Sequence, residues 1–166
     1  MICATEIYQA NLDAVSAGMM TGDFHAFFTH IGMPIMMATG SREVVVSSYE
    51  EMLILVTEYR EQLLSQGMVD FRRFCLWADW QPAAPDMIMG CHRTEIRSVT
   101  GYVIPPYQCQ LALMRIDGVW KAIWEQANVA EDRIEFLAAD IALAQEKAHA
   151  VLSARARTLE GGGARG

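Results

Sequence analysis

Two histidines are the side chains of this chain best suited to acid–base chemistry near neutral pH. His92 lies in a segment where Arg93, Glu95 and Arg97 alternate with uncharged residues. If this charged triplet faces solvent, His92 points into the protein, where loss of hydration keeps the imidazole neutral and able to act as a base. A core histidine that only hydrogen-bonds to the backbone fits the same pattern. His30, which follows a short predicted helix, can stabilise that helix end as a cation or line the mouth of a pocket.

Three tyrosines and two tryptophans are candidates for contacts with a ligand. The hydroxyls of Tyr8, Tyr49 and Tyr107 can donate hydrogen bonds to a substrate carbonyl, as oxyanion donors do. The rings of Trp80 and Trp124 can form an aromatic wall of a pocket. All five residues also lie among apolar neighbours, so ordinary core packing is the alternative interpretation of each.

The cysteines give no sign of a redox or metal site. Cys3, Cys75, Cys91 and Cys109 are far apart, without a Cys-x-x-Cys pair or a histidine at a zinc-ligand spacing. They are expected to be small buried hydrophobic residues of a protein in the reducing cytoplasm. The sequence also lacks a glycine-rich phosphate loop, a serine-hydrolase elbow and a His-Glu-x-x-His motif. We therefore expect neither a metal ion nor a cofactor.

Length and composition predict one globular domain. The chain has 166 residues, of which 52% are hydrophobic and 20% charged, and its formal net charge is -7 at pH 7. This length is sufficient to bury a continuous core, and the acidic balance disfavours binding to nucleic acid. No apolar run approaches the roughly 20 residues of a membrane span, and the first residues do not resemble a secretory signal. The expected location is the cytoplasm.

The hydrophobic periodicity changes from helical to alternating at Gly67. Before this point, helices are predicted over residues 5–20, just after Asp23, and from the Ser48-x-x-Glu51 capping box to Gly67. A loop containing Gly101, Pro105 and Pro106 is predicted between the fourth and fifth strands. The predicted strands are 33–38, 42–46, 69–80, 86–98, 107–116 and 119–127, and a long helix is predicted over 129–157.

Counting residues across the hairpin turns predicts which side chains face the core. Around the turn at residues 117–118, Trp124 is assigned to the inner face of the sheet and Glu125 to the outer face. In the preceding hairpin, Phe74 and Leu76 are assigned to the inner face. Monomers rarely expose large apolar groups as one patch, so we predict that the outer face forms the interface of a homodimer. The large apolar side chains assigned to this outer face are Trp77, Met87 and Met89.

The order of these elements and three short stretches resemble the nuclear transport factor 2-like superfamily, particularly its SnoaL-like bacterial members. The stretches are residues 20–24 (Met-Thr-Gly-Asp-Phe), 91–95 (Cys-His-Arg-Thr-Glu) and 117–125 (Asp-Gly-Val-Trp-Lys-Ala-Ile-Trp-Glu). The resemblance covers about residues 5–130. It implies an α+β, cystatin-like cone in which a strongly curved antiparallel sheet wraps around three N-terminal helices. It also implies a small-molecule pocket in the cone and pairing of subunits through the outer face of the sheet.

Proteins that are similar in this way include ketosteroid isomerases, scytalone dehydratases, epoxide hydrolases, polyketide cyclases and accessory proteins, so the fold alone does not select a chemistry. Acid–base members commonly place a carboxylate just after the second helix, whereas residues 27–34 contain no Asp or Glu. A His92–His30 pair would resemble the histidine pair of the dehydratases.

We therefore predict a nuclear transport factor 2-like domain over residues 1–130 that binds a small hydrophobic molecule. If it is an enzyme, the expected chemistry is that of a cofactor-independent isomerase, dehydratase or cyclase, with His92 and His30 as the candidate acid–base groups. The alternative is a non-catalytic, dimeric binding or accessory module whose pocket is plugged by side chains. Residues 131–158 are predicted to form a helix that packs on the domain or on a partner, and residues 159–166 a flexible tail.

Overall fold

The computed structural model describes residues 1–39, 42–128, 146 and 149–157. Residues 146 and 149–157 are helical. The other residues of the predicted C-terminal helix, and the predicted tail over residues 159–166, lie outside the described residues. The N-terminal half of the chain forms three helices, α1 (Ala4–Thr21), α2 (Phe24–Thr29) and α3 (Tyr49–Ser65). The strands are β1 (Ile31–Thr39), β2 (Arg42–Val46), β3 (Asp70–Gln81), β4 (Ala84–Ser98), β5 (Gly101–Ile116) and β6 (Val119–Asn128).

Local capping residues set the boundaries of the helices. α1 ends where Gly22 adopts a φ of 77°, a left-handed conformation that glycine takes without strain. α2 begins after Asp23, whose Oδ1 accepts a hydrogen bond from the backbone N–H of His25 at 3.1 Å. α3 begins after Ser48, whose Oγ accepts a hydrogen bond from the backbone N–H of Glu51 at 3.2 Å. These three boundaries are the predicted ones.

The six described strands form one sheet in the order β2-β1-β6-β5-β4-β3. Neighbouring strands are antiparallel except β1 and β6, which run parallel. α1 packs against β3 and also contacts β4 and β6. The predicted α+β class is therefore confirmed, with the N-terminal helices packed on one face of a curved, mainly antiparallel sheet. No helix in the described ranges is both long enough and apolar enough to cross a membrane.

Strand β5 is longer than predicted. The sequence predicts a loop containing Gly101, Pro105 and Pro106, but β5 begins at Gly101 and continues through both prolines. The pairing with β4 becomes irregular at this point, between Thr94 and Ile96. Proline has no backbone N–H to donate, so a strand tolerates it where the ladder of hydrogen bonds is interrupted. The two prolines therefore mark an irregularity within the strand, and the predicted loop is wrong.

A bulge in β6 reverses the predicted orientation of the second half of this strand. The predicted register is correct near the turn, where Leu113 pairs with Ala122. The register then shifts, so that Leu111 pairs with Glu125 and no longer with Trp124. One extra residue in a strand moves every later side chain to the other face. Trp124 therefore lies on the outer face and Glu125 on the inner face, which is the opposite of the prediction.

A second bulge, in β3, has the same effect. The register with β4 shifts between Cys75 and Trp77, which leaves Leu76 as the extra residue. Before this bulge, the inner face carries Arg73 where the sequence predicts Phe74. Phe74 and Leu76 are 42% and 49% exposed, whereas Arg73 is 8% exposed. Each bulge thus brings one charged residue to the inner face.

The outer face of β4 carries the predicted ladder of charges. Nε of Arg93 lies 2.9 Å from Oε1 of Glu95, and Nη2 of Arg97 lies 2.7 Å from Oε2 of the same carboxylate. Because side chains alternate along a strand, this arrangement directs His92 to the inner face, as predicted. The largest fully buried side chains of the inner core include Tyr8, Leu12, Leu63, Ile88, Ile96, Leu111, Leu113 and His92.

Candidate functional site

A cavity of about 160 Å³ lies between the helices and the inner face of the sheet. Its volume is below the roughly 300 Å³ at which pockets for drug-sized ligands begin, which restricts a ligand to a small molecule. The apolar part of its lining includes Val15, Met19, Ile35, Met52, Leu55 and Val56. The polar part consists of Tyr59, Arg73, Thr94, Tyr107, Cys109 and Glu125.

The Glu125 carboxylate reaches this cavity because the bulge in β6 turns it inward. Its Oε1 lies 3.7 Å from Nε2 of His92 and 3.8 Å from Nη1 of Arg73. The Glu125 side chain is 25% exposed, whereas that of His92 is 0% exposed and that of Arg73 is 7% exposed. The carboxylate is therefore the accessible member of this group, with the imidazole buried beside it.

The Arg73 guanidinium is anchored by α1. Its Nε donates a hydrogen bond to Oγ of Ser16 at 3.2 Å, and its Nη2 donates to the carbonyl oxygen of Leu12 at 3.4 Å. A buried arginine is rare unless its N–H groups are paired. These contacts fix a positive charge next to Glu125, between α1 and the sheet.

His92 is joined to α1 through Tyr8. The Tyr8 hydroxyl lies 2.9 Å from Nδ1 of His92, and both residues are fully buried. Burial, together with the positive charge of Arg73, lowers the pKa of His92 from 6.5 to about 2, so the imidazole is neutral. Burial and the nearby Glu125 raise the pKa of Tyr8, so both side chains are uncharged and share one hydrogen bond, whose direction follows the tautomer of His92. When Tyr8 donates to Nδ1, the imidazole proton is on Nε2, the atom facing Glu125.

Two further hydroxyl and thiol pairs line the polar end of the cavity. Tyr59 and Tyr107 interact with each other, and burial raises the pKa of both hydroxyls. Burial also raises the pKa of the Cys109 thiol, which interacts with Thr94. These groups are therefore uncharged at neutral pH, and the charged side chains at this end of the cavity are Glu125 and Arg73.

Most of the predicted ligand-binding residues lie outside the cavity lining. Within the described part of the chain, the cavity lining includes Tyr107 but not Tyr8, Tyr49, Trp80 or Trp124. The Tyr49 hydroxyl donates a hydrogen bond to a backbone carbonyl of β1 at 3.0 Å. Trp80 packs edge-to-face on another tryptophan of the sheet, and Trp124 pairs with residues of the outer face. Tyr8 is instead the partner of the buried His92.

The two predicted acid–base histidines occupy different places. His30 ends α2, and its carbonyl oxygen accepts hydrogen bonds from Nδ2 of Asn11 and from the backbone N–H of Ala122, both at 2.9 Å. Among the described residues, neither His30 nor His92 belongs to the cavity lining. The imidazole of His92 contacts Tyr8 and approaches Glu125.

Arg73 and Glu125 are the site residues that sequence reasoning missed. Both lie in strands whose apolar alternation changes phase, which is the signal of a bulge. In β3, inward residues are odd-numbered at Phe71 and even-numbered at Ala78. In β6, the inward side changes from Ala122 to Glu125. A change of phase within an otherwise regular strand can therefore indicate where a charged residue turns inward.

Comparisons with known proteins support the fold only. No family description and no curated protein matches this sequence. A nuclear transport factor 2-like protein from Novosphingobium aromaticivorans, with a cystatin-like fold, is 12% identical, covers 81% of this chain and 88% of its own, and has a TM-score of 0.59. A nuclear transport factor 2-like protein of unknown function from Shewanella oneidensis is 12% identical, and the match covers 74% of this chain and 97% of that protein, with a TM-score of 0.57.

A protein of unknown function from Mycobacterium tuberculosis is similar as well. It is 13% identical, covers 85% of this chain and 88% of its own, and has a TM-score of 0.55. At such low identity the shared architecture carries no information about substrate or reaction. The three structures share one architecture with this chain, and it is the architecture expected from the sequence. The chain has the nuclear transport factor 2-like, cystatin-like fold.

Proposed function

We propose that this protein binds a small hydrophobic molecule in the cavity and that the Glu125 carboxylate transfers a proton between two atoms of the bound molecule. The observation that carries this proposal is the position of Glu125, whose carboxylate enters a mainly apolar cavity beside a buried imidazole. A carboxylate in such a place can remove a proton from a bound molecule and return it to another atom of the same molecule. This is isomerase, dehydratase or cyclase chemistry, and it requires no cofactor.

The other polar residues have supporting roles in this proposal. The His92 imidazole lies beside the carboxylate, with Nε2 3.7 Å from Oε1, and it does not itself transfer a proton to the bound molecule because its ring is fully buried. The hydroxyls of Tyr59 and Tyr107 line the cavity and can donate hydrogen bonds to an oxygen that gains negative charge. Glu125 thus takes the proton-transfer role that the sequence suggested for His92 and His30.

Two adjacent valines of β2 provide a matched test of ligand binding. Val44 lines the cavity, whereas Val45 is 48% exposed. The variant V44F should fill the cavity and V45F should leave it open. Small molecules released from the purified wild-type protein and from each variant are identified by mass spectrometry. The thermal unfolding of each protein is also measured with a panel of monocyclic phenols and ketones, because a ligand that binds the native state raises its stability.

The expected result is a ligand or a thermal shift that V45F keeps and V44F loses. If the two variants retain the same molecules and the same shifts, the cavity is not the binding site. Once a substrate is known, E125Q separates binding from chemistry, since the amide keeps the shape of the carboxylate and cannot act as a base. Retained turnover by E125Q would remove Glu125 from the reaction.

The exposed apolar patch on the outer face favours a second candidate function, that of a dimeric binding module. Phe74, Leu76 and Trp77 are 42%, 49% and 46% exposed on neighbouring positions of β3. A patch of this kind is typical of protein interfaces. Light scattering of the wild type should give the mass of a dimer, which W77E should reduce to that of a monomer. V99E, at a valine that is 88% exposed in a turn, should remain dimeric, and a monomeric wild type would contradict the interface.

A further inference from the structure

We propose that His92, Cys109 and Glu125 form a binding site for a divalent transition-metal ion, with Zn²⁺ as the best match. Their ligand atoms, a ring nitrogen of His92, Sγ of Cys109 and a carboxylate oxygen of Glu125, all lie within 4.8 Å of one another. The three residues come from adjacent strands: His92 of β4 pairs directly with Cys109 of β5, and Glu125 of β6 faces Leu111. The rigid ladder of the sheet therefore presents three donors to one point.

The donors are those that zinc prefers. Imidazole nitrogen, thiolate sulfur and carboxylate oxygen bind Zn²⁺ at about 2.0 to 2.3 Å, so three of them around one tetrahedral ion lie about 3 to 4 Å apart. The observed separations need to close by only about 1 Å to reach this geometry. A set with one sulfur also disfavours Mg²⁺ and Ca²⁺, which take oxygen ligands. Zinc, and Co²⁺ as its spectroscopic substitute, are therefore the ions to test.

A second, independent observation concerns the orientation of His92. Its Nε2 atom is buried and has no hydrogen-bond partner among the residues that the structure describes. Leaving a buried polar atom unpaired costs about 1 to 3 kcal/mol, so such atoms are uncommon unless they serve a purpose. Here the unpaired nitrogen is directed at the other two donors, with Oε1 of Glu125 at 3.7 Å. A metal ion between them would satisfy it.

The residues around the three donors match the outer shell of a metal site. The Tyr8 hydroxyl contacts Nδ1 of His92 at 2.9 Å, and in the metal-bound state Nδ1 carries the proton and donates it to the Tyr8 oxygen. Such a contact fixes the ring of a metal-ligating histidine. The imidazole of His92 is thus already oriented.

Charge and space also allow an ion at this position. Arg73 is the positive group that opposes it, with Nη1 3.8 Å from Oε1 of Glu125. When the ion binds, Cys109 releases its proton to solvent, and its thiolate and the Glu125 carboxylate then carry two negative charges beside the one positive charge of Arg73. Cys109 and Glu125 both line the cavity, so the fourth coordination position faces open space, as in zinc sites that bind water or a substrate atom. The site shares Glu125 with the proposed function, and a carboxylate bound to the ion does not act as a base, so the two roles belong to the metal-bound and the metal-free protein. The metal site is therefore tested in the absence of any organic ligand.

The experiment is a titration of the metal-free, full-length protein with Co²⁺, followed by Zn²⁺ competition. Coordination of Co²⁺ by a thiolate in tetrahedral geometry gives visible ligand-field bands and a near-ultraviolet sulfur-to-metal charge-transfer band. The test variants are C109S, which removes the sulfur donor, and E125Q, which keeps the sulfur and weakens the oxygen donor. The matched control is C91S, because Cys91 is also buried and directly precedes His92 in β4, with its side chain on the outer face.

The expected result is one Co²⁺ bound per chain with a charge-transfer band, displaced by Zn²⁺. C109S should lose the band, E125Q should bind the ion more than about tenfold more weakly, and C91S should match the wild type. Circular dichroism shows whether each variant is folded, and E125Q tests the site even if C109S does not fold. A wild type without the band, or a band that C109S and E125Q leave unchanged, would overturn the proposal. If metal binding fails while V44F and V45F still differ in ligand binding, the cavity function stands without the metal.

Discussion

The Tyr8 hydroxyl lies 2.9 Å from Nδ1 of His92 and joins the first half of α1 to the middle of β4. Both residues are fully buried, so each depends on the other to satisfy a polar atom that water cannot reach. This contact fixes the imidazole with its other nitrogen directed toward Glu125. The geometry of the polar end of the cavity thus begins with a residue of the first helix.

Removal of the Tyr8 hydroxyl should destabilise the protein. Y8F leaves Nδ1 of His92 buried without a partner, and we expect the free energy of unfolding to fall by about 2 kcal/mol. The control is Y49F, which removes a hydrogen bond from the half-exposed Tyr49 to the carbonyl of Ile31 and should cost about 1 kcal/mol or less. Urea unfolding measures both. Equal losses in the two variants would contradict the importance of the buried pair.

Gly90 provides the space in which Tyr8 lies. A Cβ atom at Gly90 would be 2.6 Å from Cε2 of Tyr8 and 2.7 Å from the backbone oxygen of Trp77. The variant G90A should therefore displace the Tyr8 ring and lower the free energy of unfolding by about 1 to 3 kcal/mol, the usual cost of overpacking. G101A is the matched control, because a Cβ atom at Gly101 would meet nothing within 4 Å. Chemical denaturation that finds G90A as stable as G101A would show that the ring can move at little cost.

The sequence predicts the fold well, because the signals for it are local. The caps at Asp23 and Ser48 and the turn at residues 117–118 each depend on a few neighbouring residues, and each is found where the sequence predicts it. The ladder formed by Arg93, Glu95 and Arg97 is also correct, since three charged residues at alternate positions define one face of a strand.

The site is harder to predict because its charged residues depend on the pairing between strands. Alternation assigns Glu125 and Arg73 to the outer face only if no bulge intervenes, and each strand contains one. The proximity of Cys109 to His92 likewise depends on the register of β4 and β5, and no spacing within the sequence reveals it. His92 itself is placed correctly on the inner face, but its contact with Tyr8 depends on the packing of α1.

The stability of the protein should fall as the pH decreases below 6.5, in part because of His92. Burial lowers the pKa of this imidazole from 6.5 to about 2, so between these values the unfolded chain binds a proton that the native protein does not. Stability therefore rises with pH in this range, by up to about 1.4 kcal/mol per pH unit from this group. With a metal chelator present, the wild type should lose about 2 kcal/mol more than H92Q between pH 7 and pH 5.

The control for this pH dependence is H25Q, a substitution at an exposed histidine of α2. It should follow the wild type, because the substitution leaves His92 and its burial unchanged. Urea unfolding at several pH values gives the three profiles. If H92Q and the wild type lose the same free energy, the imidazole of His92 is protonated in the native state and its burial is incomplete.

Arg73 and Arg72 are adjacent in β3, and their substitution by leucine should have very different effects. Arg73 is buried, with Nη1 3.8 Å from Oε1 of Glu125, whereas the Arg72 side chain is 65% exposed and pairs with Asp70 at the surface. R73L leaves Glu125 facing an apolar cavity without its positive neighbour, which should lower the free energy of unfolding by about 3 kcal/mol. R72L should change it by less than about 0.5 kcal/mol.

Adding E125L to R73L should recover part of the loss, because the unpaired charge is then removed as well. Strictly additive losses in this double-mutant cycle would mean that the two charges do not interact and that Glu125 is held by the bulge alone.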